Sequence, residues 1–212
     1  MDSLLLWKMC DVVADLKSRF SFQTEQHSDL IPEKNIKVHA FTGLEWGNST
    51  LIVTEGLSSY QMKMPQGLEN KSRVELMFLF TSDFDSENWI YKGMDVKLVL
   101  KKIASLITDK DSWIGAGHTF PNVSPEPTIS IYTEMDQFML IEPLVFKEEL
   151  SGLKNENEDV TYLAIIPLFK KELDYKLKNG AYSLMKRLKK NEVTELFEMK
   201  RPIVLKRKFF GL

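Results

Sequence analysis

Three histidines, His27, His39 and His118, and a lone cysteine, Cys10, are the side chains best suited to metal ligation or nucleophilic attack. Their spacing supplies neither. The sequence holds no HExxH pair, no CxxC pair and no acidic DxDxDG loop, and zinc and calcium sites are built from such clustered ligands. No metal and no cofactor are therefore expected. Gly115-Ala116-Gly117 is a GxG without the third glycine and the strand-to-helix setting of a dinucleotide site, and the P-loop lysine and the GxSxG elbow do not occur. Cys10 falls on a helical face, where a thiol commonly packs rather than reacts.

His118 carries two readings. An imidazole in a glycine-rich loop could act as a general base if a carboxylate oriented it. The alternative is a loop residue that satisfies backbone groups, with Gly115 and Gly117 supplying positive φ. Loops need satisfied polar groups far more often than they catalyse, so the second reading is preferred. The acidic pairs Asp83 with Asp85 and Glu148 with Glu149 read as solvated carboxylates. No enzyme is expected.

The elements that must position these residues follow from periodicity. Residues 1–20 place Leu5, Met9, Val12, Val13, Leu16 and Phe20 at helical spacing. A polar stretch around Gln23, His27 and Asp29 separates that helix from a half-buried strand at 36–41. Glu45-Trp46-Gly47-Asn48 is a turn, Leu51-Ile52-Val53-Thr54 a second strand, and residues 59–62 a short extended piece. Arg73 to Phe80 turns from alternating to wholly apolar, which predicts a central strand buried on both faces. A helix is predicted over 94–108, a shaped loop over 112–122, and strands over 129–132, 138–141 and 160–166. The tract from Lys154 to Asp159 reads as a solvated hairpin or loop. Leu173, Leu177, Leu184 and Leu188 mark a closing helical region that Asn179-Gly180 could split in two. The end, Ile203 to Phe210, is a strand-like basic tail.

The 212 residues, 43% hydrophobic and 27% charged, suit one globular domain over 1–212 and rule out a disordered, collagen-like or coiled-coil chain. The fold class expected is α+β. A net charge of −2 argues against a nucleic-acid coat or a broadly polybasic membrane binder. The distribution is uneven: nine basic residues against three glutamates leave 186–212 at +6, so the remainder carries −8. One cysteine cannot form an internal disulfide, and the N-terminus has no basic leader before its short apolar run, so a cytoplasmic protein is expected, with no membrane partner.

Four stretches carry a family resemblance. They are Leu51-Ile52-Val53-Thr54-Glu55-Gly56-Leu57-Ser58, Arg73-Val74-Glu75-Leu76-Met77-Phe78, WIGAGHTFPN from Trp113 to Asn122, and Val160 to Leu168 with the overlapping ending IIPLFKKELDYKLKNGAYSLMKRL from Ile165 to Leu188. This order resembles the suppressor of fused domain over about residues 41–188, with the helix at 1–20 and the tail at 200–212 as extensions. The loop matches a W-x-G-x-G-H-T-x-P-N pattern through Trp113, Gly115, Gly117, His118, Pro121 and Asn122. The chain departs at Phe80-Thr81, where many members close the strand with Leu-Pro. The resemblance implies a single-domain α/β sandwich, its sheet mixed but mostly antiparallel, with flanking helices, working by binding protein. Stand-alone bacterial members resemble immunity proteins that neutralise a toxin, often a nuclease from a polymorphic or LXG-type system.

The function this implies is an immunity protein or antitoxin whose partner is a cognate toxin with a basic nuclease domain. Its candidate contacts are the acids Glu142, Glu148, Glu149, Glu156, Glu158 and Asp159, since an acidic inhibitor can occupy a basic substrate groove. The His118 loop is a second candidate surface. Two alternatives stand beside it: a nucleic-acid-associated regulator that uses the basic tail around Lys206 to Phe210, and a hydrolase centred on His118.

Overall fold

The computed structural model of the chain describes residues 12–45, 47–81, 83–109, 112–144, 153–154 and 159–205. The first half runs α1 (Val12–Arg19), β1 (Thr24–Ile31), β2 (Ile36–Leu44), β3 (Ser49–Glu55), β4 (Val74–Phe80), β5 (Phe84–Asp85), β6 (Ile90–Tyr91), β7 (Met94–Asp95) and α2 (Val96–Thr108). The second half runs β8 (Thr119–Pro121), β9 (Gln137–Ile141), β10 (Leu153–Lys154), β11 (Asp159–Leu168), α3 (Lys170–Asn179), α4 (Ala181–Lys190) and β12 (Leu196–Phe197). The main sheet has the order β1-β2-β3-β4-β11-β9-β8, with β10 on β11 and β12 on β4, while β5, β6 and β7 form a small sheet of their own. Strand β4 is parallel to β11 and β12, and the other pairs are antiparallel. The expected mixed, mostly antiparallel sheet with flanking helices is the observed one.

All seven residues of β4 are buried, and the strand lies mid-sheet, because a strand without a polar face must be covered on both sides. Its side chains alternate between two cores. Leu76, Phe78 and Phe80 join Ile52, Leu163 and Ile165 against α2, through Val99, Leu100 and Ile103. Met77 and Leu79 join Leu51, Val53, Tyr162 and Ile166 against α1 and α4, through Val12, Leu16, Leu184 and Leu188. Helix α2 starts cleanly because the Asp95 carboxylate accepts the Leu98 N–H at 2.9 Å, satisfying a donor that the first turn cannot. The result is a sheet sandwiched between helical layers.

The polar stretch at 23–29 is a strand after all. Residues of β1 pair with β2 from Thr24 to Ile31, and an edge strand with one wet face needs few apolar residues. The extended piece at 59–62 is instead a 3-10 turn over Leu57–Ser59 followed by irregular chain. Ile129 to Tyr132 is no strand either. Ile129 is buried but Ile131 and Tyr132 are exposed, and the Ser130 hydroxyl accepts the Tyr132 N–H, turning the chain. Gly180 does split the closing helical region into α3 and α4, with φ +84. Leu177, one of the four leucines that mark this region, is 69% exposed, and Glu172 is the residue of α3 that goes inside. Residues 203–205 of the predicted strand-like tail are irregular, and 206–212 lie outside the described residues, as do 1–11 with Cys10.

Candidate functional site

Loop 112–122 is held by its own backbone against β9. The Gly117 N–H donates to the Leu140 carbonyl at 2.7 Å, the Leu140 N–H returns to the His118 carbonyl at 2.9 Å, and the His118 N–H closes a turn on Gly115 at 3.1 Å. Gly117 has φ +91, and a Cβ there would lie 2.8 Å from the Ala181 Cβ, so glycine is required twice over. Gly115 does not take the positive φ expected of it. Its place in the motif is beside the Trp113 ring, 3.5 Å from where a Cβ would stand.

The His118 ring centroid is 4.3 Å from that of Trp113. Burial, and secondarily the nearby Lys176 ammonium, hold the imidazole below its ordinary range. Lys176 reaches the loop from α3, donates to Thr119 Oγ1 at 3.0 Å, and is itself pushed down by burial. An indole and an ammonium are thus the neighbours, where a catalytic imidazole wants an orienting carboxylate. Asn122 is an organiser of the next loop. Its Nδ2 donates to the Glu126 and Thr128 carbonyls at 2.8 and 2.9 Å, and its Oδ1 accepts from the Ser124 N–H. Pro121 ends β8 on the exposed edge.

Of the six candidate acids, Glu142 is exposed just past β9 and ion-paired with Lys71. Asp159 opens β11, its backbone in register with Lys154. Glu148, Glu149, Glu156 and Glu158 lie outside the described residues. Strands β9 and β11 are antiparallel neighbours, so Glu142 and Asp159 flank the connection that carries the other four, at one end of the sheet. The Gly117 turn sits beside that same end of β9. Of the other acidic pair, Asp83 binds Lys92 at 3.0 Å and Asp85 caps the Glu87 and Asn88 N–H groups.

Sequence reasoning passed over the buried charges. Glu75 is wholly buried on β4, where its carboxyl accepts from Thr54 Oγ1 at 2.6 Å, from the Gly56 N–H at 3.1 Å and from the Ser58 N–H at 2.9 Å. Burial nevertheless pushes it up to about 7. Two of the four family stretches, TEGLS and RVE, therefore meet at one carboxyl. Glu172 is buried against Arg201, so one cation of the basic tail serves the core. His39 lies 2.9 Å from Glu55 and 3.4 Å from Glu25, and its ring neighbours that of His27 at 5.8 Å between centroids. Among the described residues no group of three or more His, Cys, Asp or Glu is placed to hold a metal ion. No described helix is long and apolar enough to cross a membrane.

Comparison with known proteins fits this architecture. A curated relative, immunity protein YqcF of Bacillus subtilis (strain 168), is 30% identical over 110 residues, covering 50% of this chain and 54% of that protein. The chain thus matches about half the length of that relative. A suppressor of fused homolog from Neisseria gonorrhoeae superposes with a TM-score of 0.63 at 13% identity, over 92% of this chain and 95% of that one. A chain of the Sufu-Fu complex gives 0.57 at 11% identity, over 85% and 84%. Drosophila Suppressor of Fused gives 0.51 at 9%, over 80% of this chain and 42% of its own. At such identities the structures attest the fold. The sequence attests descent: the profile of the Suppressor of fused protein (SUFU) family matches residues 32–202, from the turn before β2 through the buried Arg201. This protein belongs to the suppressor of fused family.

Proposed function

We propose that the protein is an immunity protein: it binds a cognate toxin and blocks it, without turning over a substrate. The observation that carries this reading is the 30% identity over 110 residues to an immunity protein of Bacillus subtilis, on a suppressor of fused fold. The surroundings of His118 support binding over hydrolysis. Its ring lies tilted against Trp113 with the Lys176 ammonium nearby, and most of the motif around it is occupied in shaping the loop.

The toxin we propose is a nuclease domain of a polymorphic or LXG-type system, met in the cytoplasm. The contact surface is the sheet end bounded by Glu142 and Asp159, with Glu148, Glu149, Glu156 and Glu158 between them in sequence. Carboxylates there would occupy the basic groove with which a nuclease holds its substrate. The test is capture of partners from the protein's own cells on the tagged chain, repeated at raised salt and with Glu156→Lys combined with Glu158→Lys. One toxin-like protein, lost on charge reversal, is the expected result. Recovery of nucleic acid alone, or of nothing at any salt, would overturn the reading.

A further inference from the structure

Helices α3 and α4 form one continuous surface, since the Arg187 guanidinium of α4 lies 4.6 Å from the Tyr175 ring centroid of α3. Their apolar contribution to the core is small and faces inward through Leu184 and Leu188. Outward they present Lys170, Lys171, Lys178, Lys186, Arg187, Lys189 and Lys190, all exposed. The exposed acid on these helices is Asp174, which pairs with Lys170 at 2.8 Å, because Glu172 is buried. Where the helices meet at Gly180, Leu177 is 69% exposed and Tyr182 is 72% exposed. The near-neutral total therefore conceals a strongly basic face with two apolar side chains standing out of it.

We propose that the α3–α4 face docks on an anionic lipid surface. Three features select lipid over other anionic partners. The cations are lysines with a single arginine, whereas protein interfaces are depleted in lysine and enriched in arginine. Bidentate recognition of nucleic-acid phosphates and bases also favours arginine, and here the one arginine is committed to Tyr175. The Tyr182 ring already carries Lys186 at 4.4 Å, which removes one of its faces as a platform for a base. A diffuse lysine cluster around the exposed Leu177 and Tyr182 suits a charged headgroup layer, where the cations feel the surface potential and the apolar groups reach below it. The proposal is independent of the toxin reading, since it uses the helical face and not the acidic sheet end.

The test is flotation of the full chain with vesicles of phosphatidylcholine alone and of phosphatidylcholine mixed equally with phosphatidylglycerol. Binding to the mixed vesicles only, weakened by salt, is expected. Lys186→Glu with Lys189→Glu and Lys190→Glu should weaken it about tenfold or more, and Leu177→Ser with Tyr182→Ser should weaken it at raised salt. Circular dichroism checks that these surface variants fold, and the Glu156→Lys with Glu158→Lys variant should float as the parent does. Equal binding to both vesicles, no flotation, indifference to the triple reversal, or preference for a duplex oligonucleotide in competition would each overturn the proposal.

Discussion

Glu172 and Arg201 close a two-pronged ion pair out of solvent, Nη1 to Oε1 at 2.9 Å and Nη2 to Oε2 at 2.6 Å. The same guanidinium donates to the Pro167 carbonyl at 2.7 Å, and the same carboxylate accepts the Phe169 and Val204 N–H groups. One pair thus fastens the end of β11, the start of α3 and the chain after β12. Removing one partner strands a buried charge, so Arg201→Met is expected to cost about 3–5 kcal/mol, read from the urea midpoint. The double variant with Glu172→Met should lose less than the sum of the two single changes, because no unpaired charge is left.

Glu75 predicts an unusual pH dependence. Its carboxyl rises from an ordinary 4.5 to about 7 in the fold, chiefly through burial. Between those values the folded protein holds a proton that the unfolded chain has released. The contribution of Glu75 to stability is therefore largest at and below the lower value and falls as the pH climbs to the upper one, by about 3 kcal/mol in all. Thr54 Oγ1 lies 3.5 Å from the Leu76 carbonyl, a second acceptor to which it can turn when Glu75 is protonated. Glu75→Gln should fold and flatten this slope in denaturation midpoints measured across the range.

At the motif loop, Gly117→Ala places a Cβ 2.8 Å from that of Ala181 on a backbone at φ +91. A loss of about 2 kcal/mol is expected. Adding Ala181→Gly should relieve the clash but not the backbone strain, so thermal melts should show partial recovery.

His118 reports on Lys176. Burial is the larger cause of its lowered pKa and the ammonium the smaller. Lys176→Gln, which keeps a donor for Thr119, should raise the imidazole pKa towards 6.5 without reaching it, as followed by NMR titration of the ring protons.

These relationships mark where the sequence was legible. The apolar run of β4, the periodicity of α2 and the Gly180 break were readable because each rests on local burial or backbone geometry. The motif stretches identified the family without revealing what those residues do in the fold. TEGLS and RVE are held together by one carboxyl, a contact across twenty-one positions for Thr54 and Glu75 that periodicity cannot register. Edge strand β1 was hidden because hydrogen bonding to β2, not hydrophobicity, defines it. The burial of Glu172 in an otherwise charged helix has no local signal, since its partner lies twenty-nine residues away. Four of the six proposed contact acids fall outside the described residues, so the acidic surface rests on topology and sequence together.

Growth rescue separates neutralisation by binding from every other role proposed for this chain. The protein captured from the native cells would be expressed alone in a sensitive host, then together with this chain, and the two purified as a mixture. The expected result is growth arrest by the captured protein, relief on co-expression, and a stable complex in which both chains stay intact. Arrest that this chain fails to relieve, or relief accompanied by chemical alteration of the toxin, would contradict it.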